Sequence, residues 1–162
     1  MIVVADTAPL NYLILIGEIQ LLPVLYGRVL IPPAVLGELS DPAAPDAVRR
    51  WIGQPPRWLE MRAPQRIPVD FSADLGPGER EAIALSGEIG ASALLIDDLD
   101  GRREAVRRQL AVVGTLGVID LAGAHDLVDV PLAISRLRAT NFRASARLLQ
   151  YVLDRDAARK NR

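Results

Sequence analysis

Met1-Ile2-Val3-Val4-Ala5-Asp6-Thr7-Ala8-Pro9 joins a short apolar run to a carboxylate, and then to a proline that suits the first turn of a helix. A run this brief, closed by an acid, reads as a buried strand handing over to a helix. Far downstream, Leu94-Leu95-Ile96 runs into Asp97-Asp98-Leu99-Asp100 in the same way. Two strands that both end in acid predict one acidic crevice.

Working outward from Asp6, Leu10, Leu13, Ile14 and Ile16 fall at helical spacing before Gly17, and Ile19, Leu21, Leu22 and Leu25 continue as a second short helix ending near Tyr26-Gly27. Arg28 to Ile31 reads as a second strand, cut off by Pro32-Pro33, which can open the helix Ala34 to Leu39 that carries Glu38. Residues 41–75 are the least regular part. A helix is expected over 43–52, and prolines at 55, 56, 64 and 68 bracket a third strand around Trp58 to Met61.

Gly76-Pro77-Gly78 feeds a helix from Glu79 to Gly90. Ala82, Ile83, Ser86 and Ile89 form one stripe of that helix, which puts Glu79 on its inward face and Glu81 toward solvent. Ala93 to Ile96 is a fourth strand, 101–110 an arginine-rich helix, and Ala111 to Val113 a fifth strand. Residues 115–124, 132–138 and 144–154 have helical patterns, and 155–162 reads as a frayed basic tail after a single domain over 1–154. Strands alternating with helices imply right-handed crossovers and a parallel sheet covered on both faces. In such α/β folds ligands bind outside the carboxyl ends of the strands.

The 162 residues include no cysteine and one histidine, His125. Disulfides, thiolate nucleophiles and sulfur-bound zinc are thereby excluded, and a histidine-based triad is hard to build, so catalysis must run on carboxylates, hydroxyls and arginine. An acid at position 6 with no basic residue before it argues against a signal peptide, and no apolar stretch approaches the roughly 20 residues of a membrane span. A cytoplasmic location is expected. Charge is split: residues 1–100 hold 7 Arg against 14 acids, whereas 101–162 hold 12 basic residues against 6 acids. An acidic site beside an arginine-rich flank suits an enzyme whose metal occupies the acids while arginines hold a polyanion.

Asp6, Glu38, Glu79 and Asp98 come from four separated segments, each at a strand end or on the inner face of a following helix. Singly, each also suits helix capping or a solvated surface. Together they form a crowd of carboxylates that a cation would neutralise, and oxygen-only ligands select Mg²⁺ or Mn²⁺. Such an ion polarises a phosphodiester and lowers the pKa of bound water. Arg102 and Arg103, on the helix just after the last acids, are candidates for holding the phosphates of such a polyanion, which the resemblance below makes RNA.

Val3 to Thr7, Ile31 to Leu39, Gly78 to Leu85 and Leu94 to Asp98 resemble, in order, the four acidic blocks of PIN-domain ribonucleases. Gly114 to Ile119 and Asn141-Phe142-Arg143 resemble a branch of that family related to VapC-type toxins. The resemblance implies a three-layer α/β/α sandwich around a five-stranded parallel sheet, with the strand of Asp6 near its centre. It also implies Mg²⁺- or Mn²⁺-dependent cleavage of RNA. Asp6, Glu38, Glu79 and Asp98 would be catalytic metal ligands and Asp100 an auxiliary acid, with Asp97 an alternative to Asp98, and Thr7 beside them in contact with RNA. Relatives are often held inactive by a small antitoxin and are commonly dimers, for which the apolar Leu10 to Leu25 face offers either an interface or packing against the sheet.

The chain departs from the family pattern at two points. Ala8 stands where a Ser or Asn is common, and Ile96 where a Ser or Thr is common. These departures support an alternative, a PIN-like module that binds RNA or a protein partner with little or no catalysis. A receiver-type phosphoacceptor would need a lysine after its last strand, and Lys160 is the only lysine. A haloacid-dehalogenase-type phosphatase would need an acid where Ala8 stands.

Overall fold

The computed structural model describes residues 1–162, with strands β1 (Ile2–Ala5), β2 (Arg28–Ile31), β3 (Leu59–Met61), β4 (Ala93–Leu95) and β5 (Val112–Val113). The nine helices are α1 (Thr7–Leu15), α2 (Leu21–Tyr26), α3 (Pro33–Ser40), α4 (Asp46–Gly53), α5 (Pro77–Ile89), α6 (Leu99–Arg107), α7 (Thr115–Ala124), α8 (Val130–Arg138) and α9 (Ala146–Lys160). All strands are parallel and pair in the order β3-β2-β1-β4-β5, which puts β1 at the centre as expected.

Register follows from burial on both faces. Val3 lies opposite Val29 and Ala93, and Val4 opposite Leu30 and Leu94. The two-residue period sends Val3, Ala5, Val29, Ile31 and Leu95 into a core of 25 buried residues shared with α1 to α4 and α7 to α9. It sends Val4, Leu30, Leu94 and Ile96 into a second core of 9, closed by Ala82, Ile83 and Leu85 of α5 and Ala105 of α6. A one-residue slip in any strand would exchange these faces, so the apolar pattern fixes the pairing. The result is an α/β/α sandwich.

Chain order positions the site. From β1 the chain moves outward through β2 to β3, then returns to the other side of β1 for β4 and moves outward again to β5. The carboxyl ends of β1 and β4 therefore face a crevice from which the crossovers diverge, the place where open parallel sheets bind ligands. Asp6 follows β1, and Asp97 and Asp98 follow β4.

Two expectations are corrected. The carboxyl terminus does not fray at Arg155, because α9 runs to Lys160. Asp156 is buried and pairs with Lys160 at 2.6 Å and Arg159 at 3.6 Å, while Arg155 and Arg159 reach Asp120 at 3.1 and 3.0 Å. These acids, one turn back or on α7, hold the basic residues of the last two turns in place. Glu81 does not project into solvent; its Oε1 accepts from the Ala34 N–H at 3.0 Å and satisfies a free donor at the start of α3. Of the two roles open to the Leu10 to Leu25 face, packing is the one Leu10, Leu13 and Leu22 take, being wholly buried in the larger core.

Candidate active site

Asp6 ends β1 and stands at the N-cap position of α1, yet its side chain makes no capping hydrogen bond. Its backbone is held by an N–H bond to the Leu95 carbonyl at 2.8 Å, which ties it to β4. The carboxylate is 3% exposed, and Oδ1 has no hydrogen-bond partner. Burial raises its pKa to about 7, with the charges of Glu79, Glu38 and Asp98 adding to the rise and the nearby Thr7 N–H opposing it. An orphaned, buried carboxylate oxygen is costly unless something cationic meets it.

Around Asp6 lies a cavity of about 630 Å³, whose wall includes Thr7, Glu38, Glu79, Asp97 and Asp98. Glu38, on α3, accepts a short hydrogen bond from the Thr7 hydroxyl. It comes so near α5 that a Cβ at Gly78 would stand 2.8 Å from both of its carboxylate oxygens. Only glycine at the second residue of α5 allows this approach. Glu79, the next residue, folds back over Gly76, where a Cβ would stand 2.7 Å from Oε2. Burial raises the pKa of Glu79, with Asp98 and Glu38 adding and the backbone N–H groups of the first turn opposing.

The acid doublet after β4 is divided. Asp97 accepts from the Thr115 amide at 2.7 Å and the Thr115 hydroxyl at 2.6 Å, which joins β4 to the start of α7. Asp98 is exposed and caps α6, its Oδ2 accepting from Gly101 N–H at 2.8 Å and its Oδ1 remaining free of such a bond. Both line the cavity, but Asp97 is already committed to structure.

Other candidates lie elsewhere. Asp100 is not in the cavity wall and pairs with Arg103 at 3.5 Å, both side chains being exposed. Arg102 folds against β4, donating to the Ile96 carbonyl at 3.0 Å, so its guanidinium anchors the strand end. Ile96 is fully buried in the smaller core, so a hydroxyl at this position would meet apolar side chains and not the crevice. Ala8 does line the crevice.

Asn11, Tyr12, Asn141, Phe142 and Arg143 complete the wall. Tyr12 donates to Asn141 Oδ1 at 2.9 Å and meets Phe142 edge to face with ring centres 5.0 Å apart. The late loop before α9 is thereby brought over the acids. Asn11 and Tyr12 went unread in the sequence, although they follow Ala8 by three and four residues and so share its helical face. Arg143 is the sole cation among the twelve lining residues, against five carboxylates.

Asp6, Glu38, Glu79 and Asp98 supply only oxygen donors, suited to a hard divalent cation. No three Asp, Glu or His side chains already form a closed ligand cage; Glu38 is bonded to the Thr7 hydroxyl and Asp98 to Gly101 N–H. The unpartnered Asp6 oxygen is the feature that fits a cation.

A five-stranded parallel α/β/α fold with carboxylates rimming the switch-point crevice defines a PIN-like protein. The family model DUF3368, described as a PIN domain, matches residues 2–157, and the chain belongs to that family, whose members are typically nucleases using divalent metal ions. Among solved structures, a PilT N-terminus domain protein from the hyperthermophilic archaeon Sulfolobus solfataricus P2 superposes with a TM-score of 0.53 over 89% of this chain and 100% of that one. Identity is 14%, so the likeness carries the fold alone. No curated protein matches the chain in sequence.

Proposed function

We propose that the protein is a Mg²⁺- or Mn²⁺-dependent endoribonuclease, and that it acts in the cytoplasm as the toxin of a toxin–antitoxin pair. The observation that carries the nuclease reading is the buried, unpartnered Oδ1 of Asp6 within a ring of carboxylates. Asp6, Glu38, Glu79 and Asp98 would hold the ion, which when bound activates water and stabilises charge on a phosphodiester.

The chain's own residues then have separate tasks. Thr7 fixes the rotamer of Glu38 by its hydroxyl, and Gly78 leaves room for that carboxylate. Gly101 N–H occupies Oδ2 of Asp98 and leaves Oδ1 as the oxygen that would meet the ion. Arg143, in the same wall as the acids, would meet a phosphate of the strand. Loss of the RNA ladder on Asp6→Asn, with the circular dichroism spectrum unchanged and wild-type cleavage stopped by chelator, is the expected result. Cleavage undiminished by that substitution would overturn the mechanism.

The toxin assignment rests on the likeness of Gly114 to Ile119 and Asn141 to Arg143 to VapC-type proteins. An acid-rimmed crevice also suits an inhibitory segment carrying an arginine, as an antitoxin would supply. Growth arrest on expression, relieved by Asp6→Asn, supports it; unimpaired growth at full expression of active enzyme counts against it. The lack of a closed three-carboxylate cage favours a second reading, an RNA-binding module without turnover. That reading predicts RNA retention in chelator and no cleavage at any metal concentration.

A further inference from the structure

Beside the acid crevice lies a larger groove of about 1000 Å³, bounded by β5 at the sheet edge, by α7 and by the start of α9. The two are continuous, since Asp97, Phe142 and Arg143 line both. Ten of the groove's seventeen lining residues are hydrophobic, so its wall suits a flat apolar surface more than a solvated one. Leu148 and Tyr151 in that wall are 46% and 57% exposed. Of seven aromatic rings in the protein, Tyr12, Phe142 and Tyr151 lie along this one continuous cleft.

The charges of the groove are largely spoken for. Asp97 is bonded to Thr115, Asp120 is paired with Arg155 and Arg159, and Arg102 is bonded to the Ile96 carbonyl. Arg143, exposed at the junction with the crevice, has no ion pair. An occupant of this cleft therefore presents one anionic group at the junction and an apolar face beyond it.

We propose that the groove is a subsite for an unpaired nucleobase of an RNA strand that threads the acid crevice, with Arg143 holding the intervening phosphate. The inference rests on the reading of the crevice as a ribonuclease site. Aromatic faces stack on any base, and a base still paired in a duplex cannot turn into a side groove, so the substrate is single-stranded at this point. Continuity with the crevice and the run of aromatic rings favour a nucleotide over a second copy of the chain.

The test uses the whole protein carrying Asp6→Asn in Mg²⁺, which keeps the RNA intact, and fluorescence anisotropy with a short single-stranded RNA, its duplex, and the same strand with abasic positions. Tyr151→Ala and Leu148→Gln, both at exposed positions, are each expected to weaken the single strand by roughly 10-fold and to leave the abasic strand unchanged. Equal affinity of parent and both variants for the base-containing strand would overturn the subsite. So would Leu148→Gln splitting a dimer in sedimentation while RNA affinity stays constant, because the groove would then join two copies. Base-dependent binding by a protein whose wild type never cleaves would keep the subsite and remove the nuclease reading. Full cleavage by both groove variants in the wild-type background would remove the subsite and keep the nuclease.

Discussion

Thr115 meets Asp97 twice, with its amide at 2.7 Å from one carboxylate oxygen and its hydroxyl at 2.6 Å from the other. This pair of hydrogen bonds holds the end of β4 to the start of α7, and Asp98 is left facing the crevice. Thr115→Val is therefore expected to lower stability by about 2 kcal/mol, the cost of leaving a buried acceptor unmet. Asp98→Asn keeps an oxygen to accept from Gly101 N–H and should unfold at nearly the wild-type temperature, while cleavage falls on the order of 100-fold. Denaturant titration together with an RNase assay checks the division.

Gly78→Ala places a methyl 2.8 Å from both oxygens of Glu38, and the flexible end of that side chain is what must give way. Glu38 leaves Thr7, activity drops on the order of 10- to 100-fold as a positioned group is misplaced, and stability changes little. Gly37→Ala on α3 is the control. A Cβ there meets nothing within 4 Å, so the variant should gain roughly 0.5–1 kcal/mol of helix stability and keep its activity.

Asp6 sets a pH dependence. Its pKa of about 7 in the folded protein lies above the ordinary 3.8, so the folded state binds the extra proton between these values. Stability without metal should fall as pH rises from about 4 to about 7 and then level off, by on the order of 4 kcal/mol in all. Glu79 and Asp97, both raised mainly by burial, act in the same direction. Asp6→Asn should flatten most of the slope. Mn²⁺, which binds the ionised form, should raise the melting temperature more at pH 8 than at pH 5, and equal shifts at the two would contradict the assignment.

Removing residues 155–162 takes away both partners of Asp120, along with the buried Asp156–Lys160 pair itself. A drop of several kcal/mol is expected, because Asp120 is left without its partners and the last turns of α9 are lost. Asp156→Asn alone tests the buried pair. A truncated chain that melts with the full-length protein would show that α9 contributes nothing past Asp154.

Four of the five strands were legible because each is a short β-branched or leucine run stopped by an acid, glycine or proline, β3 being bracketed only by more distant prolines, and the parallel order followed from alternation. Asp6, Glu38, Glu79 and Asp98 were legible as a set because all four fall at one edge of that sheet, and the structure brings all four to one cavity. The reach of a side chain was not legible. Asp97 and Asp98 are adjacent and alike, and only the placement of Thr115 separates them. Arg102 and Asp100 lie near the crevice in sequence, but a carbonyl and Arg103 hold them elsewhere. The tail looked frayed because its partner, Asp120, lies 35 residues before Arg155.

The central position of β1 has a consequence for timing. Asp6 directly follows β1, yet that strand's neighbour in the sheet, β4, begins at Ala93, and Asp97 is not anchored until Thr115 follows. Parallel pairing over such separations closes late and cooperatively. A chain without α7 thus has the acids in its sequence but no anchored crevice, so the proposed cutting activity should appear only once the segment through Thr115 has folded onto β4.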